Sequence, residues 1–98
     1  MYVAIHHTIT DSQKWDRTAQ NIMAMIEQGR LPEGLKALIY LPSVDGRKAD
    51  CVWETNSVDA LRRFIDRETG TAARNDYSTN TVEAAVGLPG LETAQKAA

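Results

Sequence analysis

The sequence predicts one small α+β domain with the element order β-α-β-β-α-β, and three observations predict it. From the second residue onward the chain is rich in β-branched and aromatic residues, with Val3, Ile5 and Ile9 on one parity. The period then changes to that of a helix over residues 12–28, and does so again after residue 56. Between the two helical stretches, two short apolar runs flank a set of turn residues, as in a hairpin.

The first strand is predicted over Tyr2 to Thr10, rich in β-branched and aromatic residues. Val3, Ile5, His7 and Ile9 share its core face, and Tyr2, Ala4, His6, Thr8 and Thr10 share the other. Asp11-Ser12 offers an N-cap. Trp15, Ala19, Ile22, Met23 and Ile26 then fall on one stripe of a helix ending near Gln28, with Gly29 as its stop and Pro32 barring continuation. A second strand is predicted over Leu35 to Leu41, with Leu35, Ala37, Ile39 and Leu41 on one parity and Leu38 and Tyr40 on the other. Pro42 to Gly46 supplies the turn. Asp50 to Thr55 follows as the third strand, with Cys51 and Trp53 on one face and Val52 and Glu54 on the other. Asn56-Ser57 caps a second helix whose stripe is Val58, Leu61, Phe64 and Ile65, and Gly70 marks its end. Asn75 to Val82 is the last strand; its polarity suits an edge. Residues 1–83 make the domain, and 84–98 form a partly packed tail whose end is expected to fray.

Composition narrows the function classes. The net charge is −2, from eleven basic and thirteen acidic residues, and no Lys/Arg run appears. A nucleic-acid partner is therefore not expected. The lone cysteine, Cys51, excludes an intrachain disulfide and a four-cysteine zinc site. No apolar run approaches the roughly 20 residues of a membrane span, and the N-terminal stretch reads as a strand and not a leader. The expected location is the cytoplasm, with no membrane partner. No cofactor is expected.

Helical crossovers return the chain parallel to the strand it left. Two such units fused through the hairpin give a four-stranded antiparallel sheet with both helices on one face, the ferredoxin-like arrangement. Because the second strand is apolar on both parities, the open face of the sheet is expected to bury itself, and a homodimer through that face is the predicted assembly.

The stretches YVAIHHTITD, LPEGLKALIYLPSVDGRKADCVWETNSVDALRRFID and NDYSTNTVEAAVGLPG resemble a group of small uncharacterised bacterial proteins of the dimeric α/β-barrel superfamily, over most of residues 2 to 90. That superfamily includes muconolactone isomerases, polyketide cyclases, cofactor-free monooxygenases, haem-degrading enzymes and proteins of no known activity. The resemblance implies a small-molecule-binding protein or a cofactor-free enzyme, isomerase-, cyclase- or monooxygenase-like. The alternative is a non-catalytic ligand-binding or interaction homodimer. It carries over no catalytic signature.

Among individual residues, His6 is the candidate catalytic group, since an imidazole exchanges protons near neutral pH. Tyr40, Trp53 and Tyr77 are the candidate substrate-binding residues, flat apolar walls with polar tips. The same three rings would equally fill a core or a dimer interface. His7, on the opposite face from His6, reads as a structural histidine. Cys51 reads as a packing residue and Glu54 as a rim carboxylate at the start of the second helix. Arg74, Asn75 and Asp76 read as a solvated loop. No triad, phosphate-cradling loop or metal signature stands in the sequence.

Overall fold

The structure, a computed structural model, describes residues 1–88. Its elements are β1 (Tyr2–Ile9), α1 (Ser12–Glu27), β2 (Leu35–Pro42), β3 (Lys48–Thr55), α2 (Val58–Thr69) and β4 (Ala73–Asn80). All pairings are antiparallel and the strand order is β2-β3-β1-β4. The ferredoxin-like arrangement expected from the sequence is the one observed. The expected fraying of the final residues lies outside the described residues.

Local chemistry fixes the ends of the helices. Asp11 accepts from the Lys14 amide at 3.1 Å and starts α1. Ser57 accepts from the Ala60 amide at 3.2 Å and starts α2. Thr55, not Glu54, braces that second start: its Oγ1 accepts from the Ser57 amide at 3.0 Å. Gly70 closes α2 at φ 52°, a left-handed turn that returns the chain to β4 within three residues.

Both helices cover one face of the sheet. Val3, Ile5, Cys51 and Trp53 from the central strands pack with Ile26 of α1 and with Leu61, Phe64 and Ile65 of α2. Trp15 closes a second cluster with Ala49 and Ala72 at one end of the sheet. The amphipathic stripes predicted for both helices are thus the faces turned to the sheet, although in α1 only Trp15 and Ile26 are buried.

Two strands depart from their expected reading. In β2 the register slips between Ala37 and Ile39: Ala37 lies opposite Trp53 and Ile39 opposite Val52, leaving Leu38 as the extra, buried residue of a β-bulge. Beyond the bulge parity is inverted, so Tyr40 pairs with Cys51 and Leu41 with Asp50. Tyr40 therefore turns toward the helices and Leu41 toward solvent, the reverse of simple alternation. β4 begins and ends two residues earlier than predicted. Arg74, Asn75 and Asp76 are consequently strand residues, not a loop. The strand does form an edge of the sheet.

The face away from the helices is mixed. Successive ladders across β4, β1 and β3 set Asn80, Tyr2 and Glu54 in one row, Ser78, Ala4 and Val52 in the next, and Asp76, His6 and Asp50 in a third. Cys51 and Trp53 belong to the covered face, and the bulge in β2 turns Tyr40 to that face as well, so the second strand does not make the open face uniformly apolar. Glu54 lies between Tyr2 and Lys36 on the open side, away from the start of α2. Among the described residues no helix is long and apolar enough to cross a membrane.

Candidate functional site

The two histidines divide as their parity requires. His6 is on the open face, where its Nδ1 lies 2.6 Å from Asp50 Oδ1. His7 is buried at 3 % exposure under α1, with the Trp15 ring 4.7 Å away and tilted by 50°.

A chain of hydrogen bonds fixes the state of His7. Asn75 Nδ2 donates to Asp66 Oδ1 at 3.0 Å and to Thr69 Oγ1 at 2.9 Å. Thr69 gives its own proton to the Ile65 carbonyl. Both amide protons of Asn75 are therefore committed toward α2, and its carbonyl oxygen must face His7. His7 Nδ1 lies 2.6 Å from that oxygen and so carries the ring proton. Nε2 is left with a lone pair, 3.0 Å from Cys51 Sγ, and the thiol donates to it. Trp53 Nε1 donates in turn to the same sulfur at 3.3 Å. The donors run in one direction, from Trp53 through Cys51, His7 and Asn75 to the carboxylate of Asp66, which also accepts from the Tyr77 hydroxyl at 2.6 Å.

Burial sets the electrostatics of this chain. His7 is held below the usual imidazole range because desolvation disfavours its cation, outweighing the opposing effects of Asn75 and Asp50. The Cys51 thiol is pushed up to about 12, again by burial, against the stabilising bond from Trp53. Tyr77 is also raised, first by burial and then by its bond to Asp66. At neutral pH the pair is a neutral thiol beside a neutral imidazole. Cys51, His7 and Asn75 stand in the order of a cysteine-histidine-amide triad, yet a thiol so protonated is a poor nucleophile.

The His7–Cys51 pair borders a cavity of about 50 Å³ between the sheet and α1, walled by Trp15, Ala19, Ile22, Tyr40 and Trp53. The lining is chiefly apolar. Trp15 Nε1 donates to the Tyr40 hydroxyl at 3.3 Å across one side of it. At this volume the cavity, which is partly open to solvent, has room for a water molecule or two, against the several hundred Å³ of an ordinary metabolite pocket. A second hollow of about 270 Å³ lies under the α1–β2 connection; the only titratable groups in its lining are Glu33 and Lys36. Among the described residues no group of three or more His, Cys, Asp or Glu converges to hold a metal.

Of the residues singled out in the sequence, Tyr40 and Trp53 meet at the first cavity. His6 lies on the other side of the sheet from it. Tyr77 is on the covered face but at its edge, with the Arg62 guanidinium 4.8 Å over its ring and its hydroxyl on Asp66. The residues that sequence reasoning set aside are His7, Cys51 and Asn75. Parity placed His7 correctly on the covered face and put Cys51 on one face with Trp53, but nothing local pointed to Asn75. No curated protein matches the sequence. A family model does match residues 2–89, a span that holds all six elements and the whole cavity, and the chain belongs to that family, a domain of unknown function (DUF8652).

Proposed function

We propose that the chain is a cytoplasmic small-molecule-binding domain of the dimeric α/β-barrel type, whose ligand enters between the sheet and α1. The observation that carries this reading is the chiefly apolar cavity bordered by two hydrogen-bonded pairs, His7 with Cys51 and Trp15 with Tyr40. Apolar walls supply affinity and a few fixed polar atoms supply orientation, the usual division of labour in small-ligand sites. The ligand class is a slim, mostly apolar molecule, with its hydrogen-bonding end toward Tyr40, His7 and Cys51. Because the cavity is small, α1 shifts outward on binding. Ile22, Met23 and Met25 are only half-buried on that helix, and thioether side chains repack at low cost. The single buried thiol suits a reducing compartment.

The His7–Cys51 pair serves binding and not nucleophilic attack in this reading, since burial keeps the thiol protonated and the imidazole lone pair is already engaged. A thermal-shift screen of metabolites, including aromatics and haem, tests the reading. A ligand present at 100 times its Kd should add about 2.7 kcal/mol of stability. Ala19→Leu, which fills the cavity from α1, should abolish that gain. A panel without any stabilising compound would overturn it.

The mixed open face supports a second part of the proposal, a homodimer. Ala4 and Val52 sit side by side at the centre of the sheet and Leu41 is 61 % exposed at its margin. Sedimentation at micromolar concentration should give about twice the chain mass.

A further inference from the structure

Of two simple two-fold axes, one along the strands and one across them, the first makes the central rows of the open face self-complementary. Four eight-residue strands lie in the order β2-β3-β1-β4, so the middle of the platform is the seam between β3 and β1. Two copies can stack open face to open face about a two-fold lying in the plane between them. If the axis runs across the strands through the Ala4–Val52 row, the Asp50 row falls on the Glu54 row of the partner subunit, and carboxylate meets carboxylate. If the axis runs along the β3–β1 seam, each row meets its own row reversed. His6 then lies over Asp50 of the partner subunit, Asp50 over the partner's His6, and Ala4 over the partner's Val52. Face-to-face sheets pack with their strands about 30° apart, so this correspondence is closest near the seam, where these four residues are.

We propose that the open faces of two copies pair about the β3–β1 seam, with His6 and Asp50 reciprocally opposed, and that protonation of His6 drives the pairing. This deepens the homodimer reading above and rests on it. The groups facing His6 are Asp50 from β3, already 2.6 Å away, and Asp76 from β4 on the opposite strand. Arg74 in the next row lies 3.8 Å from Asp76. Lys48 lies in that same next row, opposite Thr8. His7, one residue on, points to the other side of the sheet. With both imidazoles neutral, the paired row brings the two Asp50 carboxylates together with no cation in that row, Arg74 being placed on Asp76. With both protonated, each imidazolium lies between a carboxylate of its own chain and one of the partner. The platform is small: about 26 by 19 Å, or about 500 Å² a side, from strand rise and spacing. That is about 1,000 Å² in total, at the lower limit of a specific interface. An association so limited in area is one that two charge pairs can decide.

The test is sedimentation velocity across pH at fixed ionic strength, with circular dichroism confirming the fold at each point. Dimerisation should tighten about tenfold between about pH 8 and pH 6, the range in which an imidazole gains its charge. His6→Asp and Asp50→His should each be monomeric when alone, and their equimolar mixture should form a heterodimer, because the mixture restores both cross-chain pairs. His6 and Asp50 are both well exposed, so neither change should disturb folding. A dimer that forms equally at both pH values, or variants that do not rescue one another, would overturn the reciprocal pairing while leaving the homodimer standing. A monomer at every pH, at concentrations up to a millimolar, would overturn both.

Discussion

At the scale of single residues, Asn75 does the most with the least outward sign. It is one of several polar residues in an edge strand, but its amide fixes which nitrogen of His7 holds the proton. Replacing it by alanine leaves a buried ring N–H without an acceptor, a loss of about 1–3 kcal/mol. Urea denaturation of Asn75→Ala should show that loss as a lower midpoint with an unchanged slope. The state of His7 also predicts a pH dependence. Its folded pKa lies below the unfolded value, so the unfolded chain takes up the proton first as the pH falls. The stabilising contribution is complete above about pH 6.5 and is lost as the pH drops toward the folded value, with a slope of up to about 1.4 kcal/mol per unit. Denaturation midpoints at intervals between pH 8 and pH 5 should decline in that direction, and His7→Asn should flatten the decline. A midpoint that rises on acidification in the His6→Asp variant, where dimerisation does not contribute, would contradict a neutral buried imidazole. Parity along β1 was enough to assign the two histidines to opposite sides. Asn75 stayed hidden because a side chain that satisfies a buried partner is the same, in sequence, as one that satisfies water.

The elements show where alternation stops being a guide. Both helices were readable, since a stripe with a cap at one end and a glycine at the other leaves little choice of face or length. β2 was not, because a bulge is an extra residue in one strand and carries no composition of its own in a run such as LKALIYL. The consequence is concentrated in Tyr40, which the slip turns from the open side to the cavity, where its hydroxyl accepts from Trp15. Tyr40→Phe keeps the ring and removes that acceptor, at a cost of about 1 kcal/mol. Tryptophan fluorescence should change with it, because the indole N–H of Trp15 loses its partner. By contrast Ser57→Ala acts on the end of an element and should cost about 1 kcal/mol with no spectral change at Trp15. If Tyr40→Phe were silent in both readouts, the inverted parity after the bulge would be in doubt.

For the molecule as a whole, the sheet is a rigid floor and α1 is the wall that can yield. The largest fully buried side chains, Ile5, Leu61, Ile65 and Val3, belong to β1 and α2, whereas α1 has only Trp15 and Ile26 buried, near its two ends. Its middle, around Ala19, Ile22 and Met23, rests over the cavity. An apolar cavity that admits benzene is about 150 Å³, so the cavity as it stands is too small for a ring by a wide margin. A ligand must then meet the cost of opening, and its apparent affinity is reduced by the fraction of molecules already open. Ile22→Ala removes that cost in advance. The variant should be less stable by about 2–3 kcal/mol, since a half-buried branched side chain is truncated over an existing void. It should nevertheless bind benzene or indole, and recover stability on saturation, while the parent protein gains little. Any metabolite that stabilises the parent should bind the variant more tightly. Equal affinities in the two proteins would mean that α1 does not move, and the ligand would have to be sought elsewhere on the fold.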